Sequence, residues 1–391
     1  MYLTSRQAAE RLGIKLDTLY AYVSRGRLRS VTVPGTRERR YRARDIEALL
    51  DARAGGRPPQ ISDPEALMPV IGSSICLIED GHLYYRGRDA VSLSRSATLE
   101  EAARLLWLDE TSSEPAVPAR PAPMPVSGMV ERCQIRLTSV GDEDLPEPDL
   151  ARPRVIRTGW RILGELTACV APALASGEPI HDRLAAAWRL REPGADIIRR
   201  CLVLIADHEL NPSTFVARCV ASTGASPYAV VTAALSALSG RRHGGETARA
   251  EGLFRELHES GDPMAVMAGR LARGDRLPGF GHPLYPEGDP RAAAILAALA
   301  QTSPETQALR ETAAEAGFRL TGRRANVDFA LAAATIGLGL PRAAGLGLFI
   351  IGRTAGWIAH AIEQYESGIL IRPRARYLGP RPEHAPVSSE T

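Results

Sequence analysis

From Arg154 onward the chain is rich in alanine and leucine, reads as mostly helical, and has no alternation of strand and helix. That pattern excludes a parallel sheet wound with crossover helices and predicts a mainly α body. The run is punctuated at Gly177-Glu178-Pro179, at Pro193-Gly194 and at Pro212, where helices must end or begin. The 391 residues suffice for two or three domains with a large core. Hydrophobic residues make up 45% and charged residues 24%, the balance of a soluble globular protein rather than a disordered or membrane chain. No apolar run reaches transmembrane length and the N-terminus has no apolar leader, so a cytoplasmic location is expected. Five cysteines, Cys76, Cys133, Cys169, Cys201 and Cys219, are odd in number and form no Cys-x-x-Cys pair, which argues for reduced thiols rather than disulfides or a zinc cluster.

Charge is unevenly placed. Residues 1–53 hold twelve Lys/Arg against six Asp/Glu; the whole chain is +3, so the remainder carries −3. The basic segment reads as a separate module. Thr4-Ser5-Arg6-Gln7 has the form of a capping box. Ala8, Ala9 and Leu12 give the following helix an apolar face, and Gly13 ends it. A second helix over 17–23 closes at Gly26. Arg29–Val33 reads as a strand, Pro34-Gly35 as a turn, Arg39–Arg42 as the return strand, and Asp45–Leu50 as a third helix. Two short helices and a basic hairpin resemble the winged helix-turn-helix of MerR-type regulators and excisionases. That resemblance implies DNA as a partner, with the second helix in a groove and Arg25, Arg27, Arg37, Arg39 and Arg40 near phosphates. Such binding would be strongly salt-dependent. A helix-turn-helix used only for protein contacts is the alternative.

Residues 54–70 form a linker, opening on Ala54-Gly55-Gly56-Arg57-Pro58-Pro59. A short strand from Gly72 to Ile78, an Asp80-Gly81 turn and a second strand through Tyr85 follow. Leu93 to Trp107 reads as one helix. Residues 109–126, rich in Pro, Ser and Glu, read as a loop or insert.

Three histidine stretches carry the chemistry. They are Ile205-Ala206-Asp207-His208-Glu209-Leu210-Asn211-Pro212-Ser213-Thr214, Leu238-Ser239-Gly240-Arg241-Arg242-His243-Gly244-Gly245-Glu246, and Pro278-Gly279-Phe280-Gly281-His282-Pro283-Leu284-Tyr285, the last followed by Asp289-Pro290-Arg291. A fourth element is Arg324-Ala325-Asn326-Val327-Asp328-Phe329; Gly352-Arg353-Thr354 and Ile371-Arg372-Pro373 come later. Taken alone, the His243 stretch is a helix end, capped by a left-handed Gly240, followed by a surface histidine. Taken together, the set suggests more. Histidines in glycine-flanked turns suit neutral hydrogen-bond donors and acids. Several arginines suit bidentate grip on a substrate with two carboxylates. An aspartate in an apolar run suits a base for a weak carbon acid. No His-x-x-x-His or clustered carboxylate spacing supports a metal. Enolisation followed by carbon–carbon bond formation would need such a set.

In this order the four elements resemble the citrate synthase family, from about Gly72 to Gly379, weakly only around residues 108–150. Arg86-Gly87-Arg88-Asp89 and Ala97-Thr98-Leu99-Glu100-Glu101 also match its N-terminal part. The resemblance implies a large domain of residues 71–254 plus 341–391 and a small domain of residues 255–340 that closes over it. It implies an acyltransferase of the tricarboxylic acid cycle, with acetyl-CoA as co-substrate and no tightly bound cofactor. Asp328 would be the base, His243 the donor to the thioester oxygen, and His282 the acid at the oxaloacetate carbonyl. His208, Arg291, Arg353 and Arg372 would hold the dicarboxylate, Arg372 reaching into the neighbouring subunit of a homodimer.

Some positions depart from the family. Gly-His is usually followed by Arg-Val-Tyr-Lys; here Pro283-Leu284-Tyr285-Pro286 follows. Basic residues there commonly help hold the CoA, so Arg273, Arg276, Arg323 and Arg324 are the candidates to replace them. Glu246 stands where a small residue is common. A different oxoacid, as in methylcitrate synthesis, or lyase use on citryl-CoA stays open, and so does a ligand-sensing body for the DNA-binding module.

Overall fold

The computed structural model describes residues 2–24, 28, 30–32, 39–42, 46, 71–109, 128–143, 149–172, 179–300, 302 and 304–374. It separates into two units, Met1–Ile71 and Gly72–Thr391. The expected linker and the 109–126 insert lie outside the described residues, except Asp109.

In the first unit, β1 (Tyr2–Thr4) pairs antiparallel with β3 (Arg39–Arg42), and β3 pairs with β2 (Val31–Thr32). Sequence reading gave no strand at Tyr2–Thr4. Thr4 caps α1 (Ser5–Leu12) with the reciprocal Gln7 bond of a capping box, and Gly13 ends the helix at φ 62°. The second helix, α2, is Leu16–Ser24. Leu3, Ala8, Ala9, Leu12, Leu19, Leu28, Tyr41 and Ile46 form a small core of their own. Of the five arginines expected near phosphates, only Arg39 and Arg40 are described; both are on β3, and Arg39 is exposed.

The second unit opens on a three-stranded antiparallel sheet: β4 (Cys76–Glu79), β5 (His82–Tyr85) and β6 (Arg88–Asp89). Asp80 and Gly81 both take positive φ, 50° and 78°, as a tight two-residue hairpin requires. Buried Tyr85 donates its hydroxyl to the Val203 carbonyl at 3.0 Å, which pins the hairpin on the helix that leads to His208.

The expected single helix over 93–107 is two: α3 (Ala90–Leu93) and α4 (Leu99–Trp107). Thr98 is the reason. Its side chain caps Glu101, and Glu101 returns the bond, so a new helix starts there. Helices α5 (Met129–Glu143), α6 (Arg152–Val170), α7 (Ile180–Ala187), α8 (Gly194–Ile205), α9 (Pro212–Ala221) and α10 (Pro227–Leu238) follow. Next come α11 (Gly244–Ser260), α12 (Pro263–Ala272), α13 (Pro290–Leu299), α14 (Pro304–Thr321), α15 (Val327–Gly337) and α16 (Ala344–Ser367). Helix α11 runs unbroken through residues 254 and 255 and packs along α15.

Helix α16 is the hub. It packs against α4, α6, α8 and α9. By length and apolarity it could span a membrane, contrary to the sequence expectation, but 94% of its apolar window is buried inside the protein. Its hydrophobicity is that of a core helix. Gly356 on α16 makes one contact possible: a Cβ there would lie 2.3 Å from Asp207 Oδ1 and 2.5 Å from the Ala206 carbonyl. Without a side chain, Gly356 lets the end of α8 come close, and that close approach sets the position of Asp207-His208.

Candidate active site

His243, Arg291 and Asp328 sit at helix starts, His208 just past a helix end, Arg353 on α16, and His282 in a loop. His208 follows α8 and is buried. His243 is the N-cap of α11, and Asp328 is the second residue of α15, whose N-cap Asn326 accepts the Asp328 amide at 3.0 Å. Arg291 is in the first turn of α13, and Arg353 is on α16, 1% exposed.

The glycines beside His243 have a sharper reason than access. A Cβ on Gly244 would lie 2.6 Å from the Leu238 carbonyl, and one on Gly245 would lie 3.0 Å from the Gly240 carbonyl. The chain folds back on the end of α10 there. The expected left-handed Gly240 is not found: α10 ends at Ser239 with right-handed helical angles, and Gly240 is absent from the positive-φ glycines.

Ser213 holds His243. Its Oγ lies 2.7 Å from His243 Nε2, accepts Trp357 Nε1–H at 3.2 Å and is 2.8 Å from Asn211 Oδ1. The hydroxyl has one hydrogen to place on Asn211 or His243. Phe349 packs edge-on against the His243 ring at 5.7 Å, and the Arg353 guanidinium lies 4.9 Å above the Phe349 ring. Burial, helped by Arg353, pushes His243 down to about 4.

His282 sits in a loop clamped at several points. Gly279 and Gly281 take φ of 86° and 82°, conformations only glycine holds without strain. Asn326 bonds the loop at Gly279 and Gly281, and Arg324 accepts from Gly281. The Leu284 amide donates to His282 Nδ1 at 3.2 Å. A neutral ring must therefore carry its proton on Nε2. Burial and the nearby Arg291 push His282 down to about 4.

His208 and His282 stand edge to face with ring centroids 5.0 Å apart. Tyr285, which carried no expected role, fills the corner between them. Its hydroxyl lies 3.1 Å from His208 Nε2, and the Arg291 guanidinium is 5.5 Å from its ring. Burial first, then Arg291 and Arg353, hold His208 well below the usual imidazole range. All three rings are neutral at pH 7.

The arginines differ. Arg291 is saturated on one side: Asp289 takes Nε at 2.9 Å and Nη2 at 2.8 Å, and Asp289 also accepts the Val327 amide at 3.0 Å. One carboxylate thus ties the start of α13 to the start of α15. Arg353 donates Nε to the Ile205 carbonyl at 2.8 Å, but its buried Nη1 has no partner among the described residues. An unpaired buried guanidinium nitrogen is costly unless a ligand anion meets it. Asp328 accepts the Thr247 hydroxyl, and burial pushes its carboxyl up to about 6, with the Glu246 charge acting the same way.

The remaining expected residues stay outside the cluster. Arg372 is exposed beyond α16, with no bond to the histidines within this chain among the described residues. Arg273 and Arg276 are exposed after α12. Arg323 and Arg324 are exposed but lie along the His282 loop: a Cβ on Gly281 would meet Arg323 Cδ at 2.8 Å, and one on Gly288 would meet Arg324 Cδ at 3.0 Å. The Glu246 carboxylate is ion-paired with Arg249. Ser213, Thr247, Tyr285 and Asp289 carry no expected role; Ser213, Tyr285 and Asp289 stand in the stretches around His208, His282 and Arg291, whereas Thr247 lies just past the His243 stretch.

Comparison with known proteins identifies the family. Residues 155–374 match the family model of the citrate synthase C-terminal domain, and residues 2–54 match a helix-turn-helix domain. The chain is 32% identical over 345 residues to the citrate synthase of Haloferax volcanii, covering 76% of this chain and 90% of that one. It is 31% identical over 346 residues to citrate synthase 2 of Bacillus subtilis, covering 79% and 93%. It is 29% identical over 351 residues to the 2-methylcitrate synthase of Shewanella oneidensis, covering 77% and 89%. Among solved structures, the citrate synthase of Thermoplasma acidophilum, in a ternary complex with carboxymethyl coenzyme A and oxaloacetate, has the same fold (TM-score 0.71, 23% identity, covering 83% of this chain and 98% of that one). The chain belongs to the citrate synthase family, and it carries a helix-turn-helix domain in front.

Proposed function

We propose that this protein condenses acetyl-CoA with oxaloacetate to give citrate and free CoA. Asp328 removes a methyl proton, and His243 donates a hydrogen bond from Nδ1 to the thioester oxygen as the enol forms. For this, Ser213 gives its hydrogen to His243 Nε2. The enol carbon then attacks the oxaloacetate carbonyl, which His282 polarises through Nε2–H and protonates. His208, Arg291 and Arg353 hold the two carboxylates. Water then cleaves the citryl thioester. Neutral imidazoles and a carboxyl raised to about 6 suit these roles, since each donor must hold a proton at pH 7 and the base must not. The unpartnered Nη1 of buried Arg353 carries the reading, because it calls for an anion.

Arg372, exposed in the single chain, would complete the site of the neighbouring subunit in a homodimer. Arg273, Arg276, Arg323 and Arg324 supply the charge for CoA, with residues 255–340 closing over the pocket. The reaction is placed in the cytoplasm, in keeping with five unpaired thiols. The test is release of free thiol from acetyl- and propionyl-CoA with a panel of oxoacids. Release that is lost in Asp328→Ala supports the reading; release with no oxoacid refutes it. Preference for propionyl-CoA would make the protein a 2-methylcitrate synthase.

The N-terminal unit adds a second proposal, carried by Arg39 and Arg40 on β3 beside the two-helix core. It binds DNA through these phosphate-facing arginines, with affinity that falls steeply with salt. The full chain should shift a mixed duplex pool at low salt; no shift at any salt would refute this.

A further inference from the structure

We propose that Thr247 is a positioning residue for the base: its hydroxyl holds Oδ1 of Asp328, so that Oδ2 is the oxygen that takes the substrate proton. This rests on the reading of Asp328 as the base. Thr247 is 1% exposed in the first turn of α11, and its Oγ1 donates to Asp328 Oδ1 at 2.5 Å. Among the described residues no other hydrogen bond reaches the Asp328 carboxylate, so Oδ2 is free to act. The Asp328 backbone is held separately, by Asn326 at the N-cap of α15. Asn326 therefore fixes where the residue starts, and Thr247 fixes how its carboxylate is turned.

The second observation is what else the same turn carries. His243, the proposed donor to the thioester oxygen, is the N-cap of α11 and stands four residues before Thr247. His243 enters the helix with non-helical angles, φ −138° and ψ −117°, and Thr247 lies within the helix's first turn. Donor and base must act on one acyl group at once, one on its oxygen and one on its methyl. One turn of α11 connects both, directly at His243 and through the Thr247 hydroxyl at Asp328. Threonine suits the place because branching at Cβ limits its rotamers, so that burial can hold the hydroxyl in one direction. The charged groups facing Asp328 are Glu246 from the same turn of α11, with Asp289 and Arg291 from the start of α13.

The experiment compares Thr247→Val, which keeps the shape and removes the hydrogen bond, with Thr247→Ser, which restores it. The valine variant should lose roughly ten- to a hundredfold in kcat for thiol release, as a misaligned reacting group does. KM for both substrates should stay within about twofold, since neither is held by Thr247. The acidic limb of its rate profile should move to higher pH, because the hydroxyl no longer favours the ionised carboxylate. With trideuterated acetyl-CoA its isotope effect should grow as proton removal becomes limiting. The serine variant should recover most of kcat. If valine does not fold, Thr247→Ala is read in the same way. A valine or alanine variant with the parent kcat, pH limb and isotope effect overturns the proposal, and so does a serine variant as slow as valine. Activity retained in Asp328→Ala would instead overturn the base assignment, which separates the two failures.

Discussion

The buried end of the proposed site, its histidine–arginine cluster, and its proposed rim, the exposed arginines, are built in opposite ways. At the buried end, His208, His282, Arg291 and Arg353 are fixed by the protein before any ligand arrives: Leu284 sets the His282 tautomer, Tyr285 contacts His208, and Asp289 grips Arg291. At the rim, Arg273, Arg276, Arg323 and Arg324 reach into solvent, and Arg324 rests on the Phe318 ring at 4.9 Å. The buried groups have already met the ordering cost of binding during folding, whereas the rim groups must still meet it. A buried, oriented group should therefore discriminate strongly, and an exposed one should add modest, salt-sensitive attraction.

The comparison can be broken at four points. The largest loss should come at the reacting centre. Removing His243 as His243→Ala should cost about 3 kcal/mol of transition-state stabilisation, a hundredfold or more in kcat, with little change in either KM. Steady-state kinetics of thiol release measure it, and a loss confined to KM would contradict the assignment.

Next should come Arg353→Ala, which removes the only guanidinium with an unmet buried nitrogen among the described site residues. The oxoacid KM should rise by roughly thirtyfold or more, that of the acyl-CoA hardly at all. Arg353→Lys should recover little, because an ammonium cannot reproduce the fork held by Ile205. Equal effects on both substrates would erase the distinction between buried end and rim.

A third, smaller effect concerns pH. With Asp328 as the proposed base, kcat/KM should fall as pH drops through about 6, while His243 and His282, at about 4, add no limb above pH 5. Stability has the opposite sign at this carboxyl. Its folded value lies above the unfolded one, so ionising it costs folding free energy, and stability is lost as pH rises from about 4 to about 6. Asp328→Asn should melt higher than the parent at pH 7.5, and the difference should shrink towards pH 4. Calorimetry at the two pH values checks this. The histidines act the other way: their depressed values mean that stability falls as pH drops below about 6.5.

The smallest effect should be at the rim. Arg323→Ala or Arg324→Ala should raise the acyl-CoA KM a few-fold at low salt, less at high salt, and leave the oxoacid KM alone. A loss as large as that of Arg353→Ala would mean that the rim is as organised as the pocket.

Much of this was legible in the sequence because it is local. The capping boxes at Thr4 and Thr98, the Asp80-Gly81 turn and the helix starts near Pro179, Pro193 and Pro212 depend on residues within one turn of each other. The order of His208, His243, His282, Arg291, Asp328 and Arg353 could be matched to a family for the same reason: motifs are short. Local signals also misled. Gly240 had the form of a left-handed cap, yet its place is set by the return of Gly244 and Gly245 towards the end of α10. The apolar length of α16 says membrane or core equally, and only its neighbours decide.

The sequence by itself determined the two-part organisation, the mainly helical body and the candidate residues for the chemistry, because composition, periodicity and short motifs are properties of the chain. The tertiary structure alone decided how those residues are held. Ser213 meets His243 from 30 positions away, Tyr285 meets His208 from 77, and Thr247 meets Asp328 from 81. Hydrogen bonds require partners within about 3 Å and in line, and nothing in the order of residues fixes such distances between segments this far apart. Packing on α16, with Gly356 giving Asp207-His208 room to approach, is what brings them into range.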